Sequence, residues 1–140
     1  MSAPIHATCV AIEGRGVLLL GPPGAGKSDL ALRLIDRGAR LVADDGVALR
    51  ADGDRLVASA PPTITGQMEV RGLGILPFAA TEAAVALAID LVAVPERMAP
   101  DPLPTIELAG VAVPHLALDG RGPSAAIRVE LALRHLVPAP

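Results

Sequence analysis

Val17-Leu18-Leu19-Leu20-Gly21-Pro22-Pro23-Gly24-Ala25-Gly26-Lys27-Ser28 is the stretch that decides the fold. Four consecutive apolar residues fit a short buried strand. Gly21-x-x-x-x-Gly26-Lys27-Ser28 then matches the phosphate-binding P-loop pattern. Glycines let successive backbone N–H groups converge on phosphate oxygens. The following helix N-terminus adds partial positive charge. A lysine at position 27 supplies a mobile ammonium for the β- and γ-phosphates, and a serine at 28 supplies a hydroxyl ligand for Mg²⁺. The cofactor-binding segment is therefore Gly21, Pro22, Pro23, Gly24, Ala25, Gly26, Lys27 and Ser28, with Pro22 and Pro23 at its variable positions.

The flanks agree with that assignment. A helix is expected from near Lys27, with Leu30, Ala31, Leu34 and Ile35 on one face and Gly38 as its C′ residue. Arg40–Ala43 reads as a second strand ending at Asp44-Asp45-Gly46. In a parallel sheet the carboxyl end of that strand lies on the P-loop edge. Carboxylates there orient Mg²⁺ or accept a proton from an attacking hydroxyl.

Farther along, 47–50 and 56–59 flank Ala51-Asp52-Gly53-Asp54-Arg55 as a hairpin. Residues 66–78, with Gly66, Glu69, Arg71, Gly72 and Gly74, read as a loop-rich region before an apolar segment. Val85, Leu87, Ile89 and Leu91 alternate as in a strand, with a helix as the alternative. Prolines 95, 100, 102 and 104 make 95–104 a loop. Short strands are expected at 111–113 and 115–118. Pro123 opens a C-terminal helix with Ile127, Leu131 and His135 inward. The result is one α/β domain over 1–140, a mixed sheet with few helices.

Composition narrows the function. The 140 residues carry net charge −3, so no basic nucleic-acid face is expected. One Phe and no Tyr or Trp leave no aromatic platform for stacking bases. One cysteine, Cys9, excludes an intrachain disulfide and a Cys-rich zinc site. The longest apolar stretch, 83–94, is interrupted by Asp90 and too short to span a bilayer. Without a charged n-region or signal h-region at the start, the cytoplasm is the expected compartment. Lys27 is the single lysine among 12 basic residues, so the Asn-Lys-x-Asp segment of guanine-reading switches is absent.

His6-Ala7-Thr8-Cys9-Val10, Gly21–Ser28, Arg37–Asp45 and Glu69-Val70-Arg71-Gly72-Leu73-Gly74-Ile75 together resemble the catalytic domain of HPr kinase/phosphorylase, most strongly over residues 5–78. The resemblance implies the HPr kinase/phosphoenolpyruvate carboxykinase-like fold. It implies a bacterial serine kinase that uses ATP and Mg²⁺ on a small HPr-like phosphocarrier protein, phosphorolysis of the phosphoserine as the reverse reaction, and a homo-oligomer. It assigns ATP to Gly21–Ser28 and Mg²⁺ to Ser28 and Glu69. Asp45 becomes the proton acceptor with Asp44 as rival, and Arg71–Ile75 a loop shaping the site. His6 becomes an active-site histidine, and Arg97, in Glu96-Arg97-Met98, a contact to the transferred phosphoryl group, with its own chain or a neighbouring subunit as the source. The family's Pro-Gly-Arg-Asn loop, tied to dephosphorylation, is replaced by Asp119-Gly120-Arg121-Gly122-Pro123. Two other classes stay open beside it: an ATP-gated binding module and a P-loop kinase of a small molecule.

Overall fold

The computed structural model describes residues 4–138. In chain order the strands and helices are β1 (Thr8–Ile12), β2 (Arg15–Leu20), α1 (Lys27–Asp36), β3 (Arg40–Ala43), β4 (Ala48–Asp52), β5 (Arg55–Ser59), β6 (Gln67–Val70), β7 (Gly74–Pro77), β8 (Ala83–Leu91), β9 (Thr105–Leu108), β10 (Val111–Leu118) and α2 (Ala125–His135). A sheet runs β3-β1-β2-β8-β10-β9, with the β4–β5 hairpin attached through β5 to β8. β6 and β7 form a separate hairpin.

Both faces of this sheet are covered, which is why β2 is apolar at every central position rather than alternating. Val17 and Leu19 pack with Leu30, Leu34, Leu87, Ile89, Val129 and Leu133 beneath the two helices. Leu18 packs on the other face with Cys9, Val47, Leu56 and Ala88. Burial in that second cluster pushes the Cys9 thiol up to about 12, so it remains protonated and unreactive at neutral pH.

α1 takes its length from its ends. Gly26 caps it at φ +94. At the other end Gly38 adopts φ +111, its N–H bonding to Ile35 O (3.0 Å) while the Ala39 N–H reaches Leu34 O (3.0 Å). That pair of bonds is the Schellman motif, which satisfies carbonyls the helix leaves over. Leu30 in its first turns is fully buried. Leu30→Ala should cost roughly 2–5 kcal/mol of unfolding free energy, read from the denaturant midpoint.

One hairpin sets up the site. Glu13 (φ +51) and Gly14 (φ +80) make a two-residue turn of the type that suits twisted antiparallel strands. It lays β1 against β2 with Thr8 opposite Leu19. β3 then pairs antiparallel with β1, so two reversals return it to the direction of β2. Asp44-Asp45 thus reaches the P-loop edge, although β1 separates β3 from β2.

Three expectations need correction. Residues 66–78 are not simply loop: Gly66, Gly72 and Gly74 take positive φ and bend the chain into the β6–β7 hairpin. The strands foreseen at 111–113 and 115–118 are one strand, continuous through Pro114 and flanked by β9. On α2 the buried face is Ala125, Ala126, Val129, Glu130, Ala132 and Leu133, whereas Ile127, Leu131 and His135 point outward. Ala125, Ala126, Val129, Ala132 and Leu133 join the core cluster that holds Leu30 and Leu34 of α1, which leaves the opposite face of α2 outward. The segment at 85–91 is strand, and among the described residues no helix is long and apolar enough to cross a membrane.

Candidate active site

A cleft of about 840 Å³ opens at the carboxyl ends of β2 and β3. Its walls include His6, Thr8, Lys27, Ser28, Asp44 and Asp45 on one side and Glu69 and Arg71 of the β6–β7 hairpin on the other. Met68 is buried beneath α1 and anchors that hairpin. Its neighbour Glu69 is exposed and lines the cleft beside it.

The P-loop is built as its glycines require. Gly24 and Gly26 take φ +82 and +94, and the Ala25 N–H bonds to Pro22 O (3.1 Å) to close the turn. Pro22 and Pro23 are accommodated within this turn. Lys27 is 7% exposed and folds back over the loop, donating from Nζ to Gly21 O (2.6 Å) and Pro22 O (3.0 Å).

The two adjacent aspartates have different surroundings. Asp44 is 7% exposed, and its Oδ1 accepts hydroxyl bonds from Ser28 (2.6 Å) and Thr8 (3.1 Å). Asp45 turns the chain at φ +61, and its carboxylate stands in solvent 3.2 Å from His6 Nδ1. Thr8 lies in the His6–Val10 stretch without a role of its own there; the β1–β3 pairing, with Cys9 opposite Ala43, brings it beside Asp44.

Ser28 and Asp44 present two hard oxygen ligands beside the amides of the loop. Among the described residues no group of three His, Cys, Asp or Glu side chains gathers as a complete cage. This donor set fits Mg²⁺, which retains waters and phosphate oxygens and takes only one or two protein oxygens. Glu69 faces the same cleft from across it.

Arg97 stands apart. Its proline-rich loop leaves β8 and folds toward α2, where Arg97 lines a second cleft of about 730 Å³ with His115, Arg128 and His135. Within one chain it is not among the groups around the P-loop. Arg121, in contrast, donates from Nη2 to Gly24 O of the P-loop.

Comparison with known proteins agrees with this geometry. The family model described as "HPr Serine kinase C-terminal domain" matches residues 1–119. HPr kinase/phosphorylase 1 of Oceanobacillus iheyensis is 53% identical over 73 residues, 51% of this chain and 24% of that protein. HPr kinase/phosphorylase of Bacillus pumilus is 55% identical over 73 residues, again 51% and 24%. The matched stretch thus spans about a quarter of those relatives' length. The solved structure of the Hpr(Ser) kinase/phosphatase from Coxiella burnetii superposes with a TM-score of 0.80 at 31% identity, covering 95% of both chains. From its matched residues and its fold, this chain belongs to the HPr serine kinase C-terminal domain family.

Proposed function

We propose that this chain is an ATP- and Mg²⁺-dependent serine kinase whose substrate is a small HPr-like phosphocarrier protein. The observation that carries this reading is the Ser28–Asp44 hydroxyl–carboxylate contact of 2.6 Å beside a free-standing Asp45. A metal-side carboxylate and a solvent-facing one, side by side at the end of the P-loop, fill the two acidic roles that phosphoryl transfer to a hydroxyl needs.

The residues divide the work as follows. Backbone N–H groups of Gly24–Ser28 and the Lys27 ammonium hold the phosphates of ATP. Ser28 and Asp44, with Glu69 facing them, hold Mg²⁺. When bound, that ion neutralises charge developing between the β- and γ-oxygens. Asp45 accepts the proton of the substrate serine, whose oxygen forms the new bond to the γ-phosphorus as the bond to the β–γ bridging oxygen breaks, releasing ADP. His6, at 3.2 Å, orients the Asp45 carboxylate. In the corresponding phosphorolysis an oxygen of inorganic phosphate bonds to the phosphoserine phosphorus as the bond to the serine oxygen breaks, Asp45 returns the proton to that oxygen, and pyrophosphate and free serine are released. Arg97 adds charge at the γ-phosphoryl only if a neighbouring copy supplies it.

A protein substrate suits the mouth of the cleft. Leu73 and Ile75 at the tip of the β6–β7 hairpin are 72% and 68% exposed, an apolar edge that a small molecule would leave in water. The test is incubation with γ-labelled ATP, Mg²⁺ and an HPr-type phosphocarrier, followed by mapping of the labelled residue. Serine label that disappears with chelator is the expected result. No label, with an active control kinase alongside, overturns the protein-kinase reading. ATP binding that persists without transfer points to the gated module. Transfer to a small alcohol points to the small-molecule kinase.

A further inference from the structure

The segment between β10 and α2 belongs to no strand or helix, yet it is tied to the P-loop from two sides. On α1, Arg33 spreads its guanidinium over the segment's backbone. One terminal nitrogen donates to Gly122 O (3.0 Å) and the other to Gly120 O. Its Nε lies 3.2 Å from Asp29 Oδ2, one turn earlier on the same helix, an ion pair without a hydrogen bond at that nitrogen. Between the two clasped carbonyls lies Arg121, and its side chain crosses to the P-loop carbonyl of Gly24.

The clasp leaves the segment little freedom. Gly120 is pressed against Leu91, where an added Cβ would lie 2.9 Å from the leucine's Cδ1. The Arg121 backbone N–H is held by Asp119 Oδ1 at 2.9 Å. Gly26 lies beneath the Arg121 side chain, its Cβ position 3.8 Å from Cγ. The planar guanidinium gives each carbonyl its own terminal nitrogen, a separation that a single ammonium nitrogen does not offer.

We propose that Arg33 is a positioning residue of the nucleotide site: it acts through the backbone of Gly120 and Gly122 to set Arg121 on the P-loop. This rests on the nucleotide-binding reading of that loop. Arg121 fixes the Gly24 carbonyl outward, so the neighbouring N–H groups are arranged for phosphate before it arrives, and it adds a delocalised cation at the loop's edge. The ligand class is the phosphate chain of a nucleoside triphosphate.

The experiment is a double-mutant cycle on the intact chain, with a fluorescent anthraniloyl ATP and Mg²⁺ as probe. Arg33→Ala and Arg121→Ala should each weaken binding on the order of tenfold, and the double variant should be no weaker than Arg121→Ala alone. A merely structural Arg33 would give losses that multiply. Binding of Arg33→Ala within twofold of wild type, or multiplied losses, overturns the proposal. Should Arg33→Ala fail to fold, Arg33→Lys enters the same cycle and is expected to fall between. Hydrogen exchange of amides 120–124 without nucleotide is the independent readout: faster exchange in the Arg33 variant is expected, and unchanged exchange overturns the clasp. If wild type binds no nucleotide, the kinase reading fails, and the exchange result alone decides whether Arg33 holds the segment.

Discussion

Replacing Lys27 with alanine is expected to remove phosphoryl transfer by at least about 10²–10³-fold, the scale lost with one preorganised electrostatic donor at a reacting group. The side chain is almost fully buried and lies across its own loop, with Nζ between Gly21 O and Pro22 O. Those two acceptors keep the ammonium at the phosphate-binding end of the loop. Its four-carbon stem lets it pivot from carbonyl to phosphate with little motion of the backbone. Lys27→Arg should fail nearly as completely, because a rigid fork cannot swing between those partners as a point charge does. The measurement is kcat with the phosphocarrier substrate beside the Kd of the ATP analogue. More than a tenth of wild-type turnover in Lys27→Ala would contradict the assignment. Since Lys27 is the only lysine in the chain, its modification by an amine reagent can be followed without other lysine side chains interfering. Bound ATP should slow that modification.

What the sequence made legible is what local chemistry encodes. Val17–Leu20, the glycines of the loop and the 3.6-residue spacing of Leu30 and Leu34 define β2, the P-loop and α1 without reference to the rest of the chain. The Gly38 ending is equally local, since it depends on one residue that tolerates positive φ. The readings that missed depended on distant neighbours. Ile127 and Leu131 outrank alanine in hydrophobicity, yet the face of α2 that meets the core is Ala125, Ala126, Val129, Ala132 and Leu133, fixed by how the helix sits against α1 and the rest of the cluster. Glycines at 66, 72 and 74 signal bends, but only Met68 inserting under α1 makes the segment between them a docked hairpin.

The candidate site divides along the same line. The P-loop and Asp44-Asp45 are short motifs and are visible in one dimension. Thr8 and Arg121 meet their partners across 36 and 97 positions, and Arg33 meets Gly120 and Gly122 across 87 and 89. No pattern within a helix or strand announces such contacts. His6 was legible through the resemblance, whereas Thr8 reaches Asp44 only because β3 pairs with β1, a contact between strands that the sequence alone does not announce.

The choice between Asp44 and Asp45 turns on backbone direction, which adjacent positions in a sequence do not reveal. Asp44 continues β3 and faces inward, where two hydroxyls converge on one oxygen; a carboxylate so engaged is oriented and has less free lone-pair capacity to take a proton. Asp45 follows in the left-handed region, which turns its side chain away from the metal-side hydroxyls and into the open cleft. Its side chain is 75% exposed, so an incoming serine hydroxyl can reach it. Asp45→Asn should therefore keep the Kd for the ATP analogue and Mg²⁺ within a few-fold of wild type while kcat falls about 10²–10⁴-fold, the range for loss of a general base. Asp44→Asn should show the opposite emphasis. An amide presents one weaker oxygen to Ser28 and Thr8 and carries no charge toward the ion, so nucleotide binding loses its Mg²⁺ dependence along with turnover. Equilibrium binding with and without Mg²⁺, set beside kcat, separates the two. If Asp45→Asn abolishes Mg²⁺-dependent binding while Asp44→Asn preserves it, the roles are exchanged, and the carboxylate that touches Ser28 is the proton acceptor.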